Sequence, residues 1–194
     1  VVRSCTQNGV RGGSATVHFP IWHKEIGDVI VLKNNKGTED NRVRKLDYSI
    51  QLSKIFYERL LADGDITLFS PHEVPGLYEA FGNNEVFDEL YVKYEKDPKI
   101  PKKTVKAMAL FGELLKERAE TGRIYIMNID HCNSHSSFLD MVRMSNLCQE
   151  ITLPTDPIQT LDDKEGEIAL CILSAINVGN VRELDDLKNL TDLA

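Results

Sequence analysis

An amide, a thiol and a carboxylate occupy alternate positions around residue 148. Asn146, Cys148 and Glu150 all have even numbers, and alternate residues of an extended chain project from the same face. An amide can orient hydroxyl groups, a carboxylate can accept a proton, and a thiol can serve as nucleophile, metal ligand or hydrogen-atom carrier. If the segment is extended, this spacing indicates a reactive cluster. The structural alternative is a half-buried strand in which Cys148 is a small apolar side chain.

A second thiol, Cys171, lies in the apolar run Ile168–Ser174. An isolated cysteine in such a run is usually an inert core residue. A chemical role for Cys171 would require another thiol to face it in the fold.

A glycine-rich segment runs from Cys5 to Ser14 and predicts a loop. It contains neither G-x-G-x-x-G nor G-K-[ST], so both nucleotide-binding fingerprints are absent. Arg11 is surrounded by glycines, where a guanidinium can make paired contacts to a phosphate or a base edge. A plain turn is the alternative interpretation.

Several potential zinc ligands follow the predicted strand at residues 124–129, namely Asp130, His131, Cys132 and His135. Because His131 and Cys132 are adjacent, their side chains diverge, and no second group of ligands follows. The spacing favours a hydrogen-bonded strand end over a metal site.

Alternating strand and helix patterns predict an α/β fold with largely parallel strands. The predicted strands are residues 15–20, 65–70, 124–129 and 168–173. A first helix is predicted to begin near Trp22. A second is predicted to follow Asp47 as its cap, with an apolar stripe of Ile50, Leu52, Ile55, Phe56 and Leu60. Further helices are predicted at Leu77–Phe81, at Glu85–Tyr94, at Thr104–Glu120, which Gly122 would terminate, and at the end of the chain.

The composition bounds the function. The chain has 194 residues, near the ~150 typical of one domain, so it is one domain or a piece of a larger one. Its net charge of -7 argues against general nucleic-acid binding, and its longest uncharged run is too short to span a membrane. Four cysteines without a C-x-x-C predict reduced thiols and a cytoplasmic location. The chain begins with neither a start methionine nor a signal peptide, and we expect both of its ends to be cut.

Two segments closely resemble the active-site region of the large (α) subunits of class I ribonucleoside-diphosphate reductases, in the bacterial and tailed-phage style. They are Ser-Asn-Leu-Cys-Gln-Glu-Ile at 145–151 and Gly-Glu-Ile-Ala-Leu-Cys-Ile-Leu-Ser-Ala at 166–175. Further segments resemble motifs of the same family and occur in the same order along the whole chain, at residues 4–14, 32–37, 41–44, 67–71, 74–78, 122–126 and 130–133.

The resemblance implies a fold and a domain assignment for the chain. The fold would be part of a ten-stranded α/β barrel with a finger loop through its middle, and residues 1–194 would form a single, incomplete piece of that catalytic barrel domain. The finger loop would be about residues 145–151, and about residues 4–14 would form the specificity loop. Within it, the residues expected to face substrate or effector are Cys5, Gln7, Gly9, Arg11, Gly12, Gly13 and Ser14.

The resemblance also implies catalytic roles. Cys148 would carry the thiyl radical that removes the ribose 3′-hydrogen, Glu150 would take the 3′-hydroxyl proton, and Asn146 would hold the ribose hydroxyls. Cys171 would be one of two cysteines that deliver reducing electrons as they form a disulfide. Its partner would lie on an earlier strand, upstream of the specificity loop, and Cys5 is not assigned that role.

The implied partners are ribonucleoside diphosphates, ATP and deoxynucleotide effectors, thioredoxin or glutaredoxin, a second large subunit, and a small (β) subunit. A metal in the small subunit would supply the radical, and no cofactor or metal is expected in this segment. Neither nucleic acid nor membrane is an expected partner. We expect the segment to be inactive alone. The alternative is a non-catalytic or split-gene piece that only complements other reductase segments.

Overall fold

A computed structural model of the chain describes residues 1–193. Its strands are β1 (Thr16–Pro20), β2 (Asp47–Leu52), β3 (Asp65–Leu68), β4 (Lys103–Lys106) and β5 (Ile124–Asn128). Its helices are α1 (Ile26–Ile30), α2 (Lys54–Leu61), α3 (Leu77–Ala80), α4 (Asn84–Lys96), α5 (Ala107–Thr121), α6 (Ile129–Ser134) and α7 (Leu184–Leu193). Short 3-10 turns lie at Val2–Ser4, Glu39–Asn41, Pro71–Glu73 and Val178–Asn180.

Strands β1, β2 and β5 form a parallel sheet with β2 in the middle. Ser49 of β2 pairs with His18 of β1 on one side and with Tyr125 of β5 on the other. The connections between these parallel strands contain helices, as parallel pairing requires. The predicted α/β class is therefore confirmed, and within residues 1–193 the strands do not close into a barrel.

The helix predicted to begin at Asp47 is wrong over its first six residues. Residues Asp47–Leu52 form β2, and the helix starts at Lys54. The apolar residues assigned to one helix belong to two elements, because Ile50 and Leu52 lie in the strand and Ile55, Phe56 and Leu60 in the helix that follows it. Parallel neighbours on both sides supply the hydrogen bonds that hold β2 extended, so the tertiary context decides the conformation.

The predicted helix Thr104–Glu120 is wrong in its first turn. Lys103–Lys106 form β4, which pairs antiparallel with β3, and α5 begins at Ala107. Gly122 ends α5 in the left-handed conformation with φ +67°, which confirms the predicted glycine terminator. The strands predicted at 15–20, 65–70 and 124–129 are confirmed as β1, β3 and β5.

An aromatic cluster forms the centre of the hydrophobic core. The Trp22 and Phe81 rings meet edge to face with centroids 5.8 Å apart, and Phe87 lies 4.9 Å from Phe81. Phe87 and Tyr91 both belong to α4, one turn apart, so the buried stripe of this helix lies against the cluster. The core therefore lies beside the sheet and gives its strands a fixed support.

The strand predicted at residues 168–173 is wrong. The chain there is irregular, and the side chains of Ile168, Leu170, Ile172 and Leu173 are exposed. A strand requires a neighbour for its backbone hydrogen bonds, and the described residues place none beside this run. The predicted final helix is confirmed as α7.

In residues 1–193 we find no helix with the length and apolar character needed to cross a membrane.

The buried hydroxyl of Tyr91 supports a stability prediction. It accepts a hydrogen bond from the Thr67 backbone N–H at 2.7 Å and donates one to the Thr67 carbonyl at 2.6 Å. Tyr91→Phe should lower the free energy of unfolding by about 1–3 kcal/mol, because two buried backbone groups lose their partner. Urea denaturation measures the change.

Tyr94→Phe is the matched control on the same helix. The Tyr94 hydroxyl donates to the Pro75 carbonyl in an exposed setting, where water can replace it. Equal losses in the two variants would contradict the prediction.

Candidate functional site

The middle strand of the parallel sheet has one polar, buried face. Ser49 and Gln51 of β2 are 0% and 1% exposed, whereas the alternate residues Ile50 and Leu52 belong to the hydrophobic core. On the polar face Ser49 is flanked by His18 in the strand register. Buried polar groups require hydrogen-bond partners, so this face must be covered by a segment that supplies them.

The finger loop, residues 145–151, covers this face. The Thr16 hydroxyl of β1 donates to the Leu147 carbonyl at 2.6 Å. His18 Nε2 lies 3.0 Å from the Ser145 carbonyl oxygen and 3.3 Å from the Ser145 backbone nitrogen. Strand β1 therefore holds the loop backbone at Ser145 and Leu147 by two side chains that point to the same face.

Strands β2 and β5 hold the same segment. Ser49 Oγ donates to the side-chain oxygen of Gln149, and Gln149 Nε2 donates to the Ile126 carbonyl at 2.9 Å. Gln51 Nε2 donates to the Arg143 carbonyl at 2.6 Å, just before the loop. All three strands of the sheet thus contribute to one set of anchors.

The finger loop is a closed turn, so the extended conformation considered for it is wrong. The Asn146 carbonyl accepts from the Gln149 N–H at 3.2 Å, and the Asn146 side-chain oxygen accepts from the Ile151 N–H at 3.0 Å. Gln149 has φ +61°, in the left-handed region. Even-number spacing therefore does not decide where the side chains of the loop point.

Cys148 and Glu150 are both exposed and lie near the same phenol. Burial raises the pKa of the Tyr125 phenol, and electrostatic interactions with Asp47, Cys148 and Glu150 raise it further. Since Tyr125 belongs to β5, the thiol and the carboxylate lie over that side of the sheet. The carboxylate can accept a proton from a hydroxyl group placed beside the thiol.

Cys171 lies beside Asn146. The distance between Cys171 Sγ and Asn146 Nδ2 is 4.0 Å, and both residues line a cavity of about 290 Å³ whose walls include Met144, Leu153 and Glu167. The structure thus brings a second thiol to the finger loop across 25 residues of chain.

The specificity loop at residues 4–14 is a tight hairpin. The Gln7 N–H donates to the Arg11 carbonyl at 2.8 Å, and the Val10 N–H donates to the Gln7 carbonyl at 3.0 Å. Asn8 and Gly9 have φ +50° and +71°, as the central pair of a type I′ turn does. The side chains of Gln7 and Arg11 are exposed at this turn, and so are those of Cys5 and Ser14 on its flanks.

Gly13 closes the specificity loop onto the chain that precedes it. A Cβ atom there would lie 2.3 Å from the carbonyl oxygens of both Val2 and Cys5, so no other residue fits without a backbone shift. Gly12 and Gly13 also line a cavity of about 710 Å³, together with Arg42 and Arg44. Glu39 lies in the same wall and pairs with Arg44, so this side of the loop faces a mixed but mainly basic surface that the sequence interpretation did not identify.

The segment before the finger loop is fixed by α6. The Asn133 side chain donates to the Val142 carbonyl at 2.9 Å and accepts from the Val142 N–H at 2.8 Å. In the same helix Cys132 packs against the core, and burial raises the pKa of its thiol. Within residues 1–193, no group of three or more His, Cys, Asp or Glu side chains is arranged to hold a metal ion.

Comparison with known proteins identifies the family. A family model described as "Ribonucleotide reductase, barrel domain" matches residues 1–194. This chain belongs to that family. The chain is 60% identical to ribonucleoside-diphosphate reductase subunit alpha of Haemophilus influenzae over 188 residues, which are 95% of the chain and 25% of that protein. It is 58% identical to ribonucleoside-diphosphate reductase 1 subunit alpha of Escherichia coli over 161 residues, which are 81% of the chain and 21% of that protein.

A phage relative gives the same picture. Ribonucleoside-diphosphate reductase subunit alpha of Enterobacteria phage T4 is 46% identical over 198 residues, 100% of the chain and 26% of that protein. The chain thus spans about a quarter of the length of the curated relatives that it matches. The predicted family is confirmed, and so is the predicted similarity to its bacterial and phage members.

His18 should make the barrel-domain segment sensitive to acid. Burial lowers the pKa of His18 below its ordinary value of 6.5, and the hydrogen bond to the Ser145 carbonyl offsets this only in part. The unfolded chain therefore binds a proton more readily, and stability should fall as the pH decreases below about 6.5. Thermal unfolding of the parent and His18→Phe between about pH 5 and 8 tests this.

The parent should lose more stability on acidification than the variant does. His23, whose pKa burial also lowers, is present in both proteins and cancels in the comparison. Identical pH profiles would show that His18 does not titrate between the folded and unfolded states as expected.

Proposed function

We propose that this chain is the central part of the catalytic α subunit of a ribonucleoside-diphosphate reductase, which converts ribonucleoside diphosphates to deoxyribonucleoside diphosphates. The observation that carries the proposal is the finger loop. In a chain of this family, the loop is anchored to three strands while Cys148 and Glu150 stay exposed and Cys171 lies 4.0 Å from Asn146.

The proposed chemistry assigns one task to each of these side chains. A thiyl radical on Cys148 takes the hydrogen atom from the ribose C3′, and Glu150 accepts the proton of the 3′-hydroxyl. The Asn146 amide holds the ribose hydroxyls. The C2′–OH bond breaks and the hydroxyl leaves as water, while Cys171 and a second cysteine outside this chain supply two electrons and two protons and form a disulfide. Cys148 then returns the hydrogen atom to C3′, and another thiol protein reduces the disulfide.

The proposed specificity loop reads the base. Its backbone turn exposes Gln7 and Arg11, and a guanidinium makes directional contacts to base edges and phosphates. ATP or a deoxynucleotide bound nearby would select the arrangement of this loop, and so the substrate. Gly9 has φ +71°, in the left-handed region that glycine favours, and Gly13 leaves no room for a Cβ atom beside the Val2 and Cys5 carbonyls.

The proposed assembly supplies what this chain does not contain. A metal-containing small (β) subunit generates the radical, thioredoxin or glutaredoxin provides electrons, and two large subunits form a dimer in the cytoplasm. No cofactor is assigned to the residues of this chain.

Cysteine substitutions test the proposed chemistry in a full-length subunit. We place this chain in register within the Haemophilus influenzae subunit, add its small subunit, and measure deoxynucleotide formation. Cys148→Ser should abolish reduction, because a hydroxyl does not easily replace the thiyl. Cys171→Ser should block repeated turnover, because the redox disulfide cannot form.

Cys132→Ser is the matched control, since Cys132 lies in α6 and packs against the core. It should retain activity. Repeated turnover by Cys148→Ser would refute its assignment. A parent chimera that binds the small subunit but reduces no nucleotide would favour a non-catalytic piece.

Arg11→Ala should disturb which substrate each effector favours while Cys148 chemistry continues. Coupling between two sites is typically worth ~1–3 kcal/mol, or roughly 5- to 150-fold in affinity. Competition assays with all four substrates and each effector measure the change. Arg182→Ala, which removes another exposed arginine, is the control. An equal loss for every substrate and effector would mean that Arg11 only supports the fold.

A further inference from the structure

The Gln149 side chain joins the finger loop to two strands at once. Its oxygen accepts a hydrogen bond from Ser49 Oγ on β2, and its nitrogen donates to the Ile126 carbonyl on β5 at 2.9 Å. Ser49 is 0% exposed, so water does not compete for its hydroxyl. Both ends of the amide are therefore used, and the amide has one orientation that satisfies both contacts.

The backbone at Gln149 is in a conformation that L residues seldom adopt. Its φ of +61° lies in the left-handed region, where Gly is favoured. The side-chain contacts with Ser49 and Ile126 compensate for this conformation by fixing the residue on the sheet. A loop without them would be free to return to an ordinary φ, and the residues on either side would then turn.

Those neighbouring residues are Cys148 and Glu150. Both are exposed, whereas Gln149 is directed to the sheet between them. The direction of the Cys148 side chain is thus set by the backbone that Gln149 holds. Hydrogen-atom transfer depends steeply on the distance and angle between the reacting atoms, so this direction affects the rate.

We propose that Gln149 is a positioning residue of the reductase reaction, which acts through Ser49 and Ile126 to aim the Cys148 thiol at the ribose. This inference rests on the function proposed above. Gln149 does not touch the substrate in this role. It determines how often the sulfur lies within reach of the hydrogen that it removes.

The first test measures the loop without catalysis. Hydrogen exchange of residues 145–151 is compared in the full-length chimeric subunit and in Gln149→Ala and Ser49→Ala. We expect exchange to accelerate about tenfold in both variants, because local opening becomes easier when the anchor is lost. Ser53→Ala is the matched control: it removes another buried serine hydroxyl, 2% exposed, which makes no cap hydrogen bond at the start of α2. Its loop should exchange as in the parent.

The second test measures the reaction. Gln149→Ala should lower kcat by on the order of 100-fold and Ser49→Ala by about tenfold, with KM little changed, since the substrate contacts remain. Deuterium at the substrate C3′ should slow both variants more than the parent, because hydrogen transfer becomes rate-limiting. The double variant should be no slower than Gln149→Ala, since the two residues act through one bond.

The outcomes separate this inference from the proposed function. Unchanged exchange in Gln149→Ala, or faster exchange with an unchanged isotope effect, would overturn the positioning role while leaving the reductase assignment intact. A parent subunit that reduces no nucleotide would overturn the proposed function and, with it, any role in aiming Cys148 for catalysis. Equal effects in Ser53→Ala would show a general loss of packing and would also overturn the inference.

Discussion

The structure depends on one constraint: the polar side chains that β2 buries must find partners away from water. Ser49 and Gln51 are almost completely buried, and the Ser49 hydroxyl and the Gln51 side-chain nitrogen bond to the segment that includes the finger loop, whereas the Gln51 side-chain oxygen has no partner among the described residues. A buried polar group without a partner costs about 1–3 kcal/mol. Lifting the segment off the sheet would break both contacts together with those of Thr16 and His18. The position of the loop is therefore a consequence of the composition of the sheet.

The same constraint separates support from chemistry along three successive residues. The Gln149 side chain points to the sheet and makes two hydrogen bonds there, whereas Cys148 and Glu150 are exposed. A regular strand would have placed all even-numbered residues on one face without help. Here a turn with a left-handed residue achieves the separation, and it needs an anchor because that backbone is uncommon. Support and reactivity are thus adjacent in sequence but opposite in direction.

Local patterns predicted the elements that carry a clear signal in their own residues. Strand β5 and the glycine end of α5 follow from apolar runs and terminators. The prediction failed for Asp47–Leu52. Polar and apolar residues alternate strictly there, as in a strand, but the apolar ones were counted as part of the stripe of the helix that follows. The prediction also failed for residues 168–173, because an apolar run becomes a strand only when a neighbouring strand adjoins it. The family motifs are the basis on which Cys148 and Cys171 are predicted to be functional. The anchors Thr16, His18, Ser49 and Gln149 went unnoticed, since short polar residues in strands gain meaning only from what crosses them.

The order of the chain connects the hairpin at residues 4–14 with the turn at residues 145–151. The specificity loop ends at Ser14, and Thr16 begins β1 and bonds to Leu147 beside Cys148. Gly13 packs against the Val2 and Cys5 carbonyls, so the hairpin and the start of β1 have little room to move separately. Any rearrangement of the hairpin that shifts β1 also changes the geometry of the Thr16–Leu147 bond. Coupling between sites requires contacts that differ between two arrangements, and this hydrogen bond is the contact that connects the hairpin to the backbone next to the thiol.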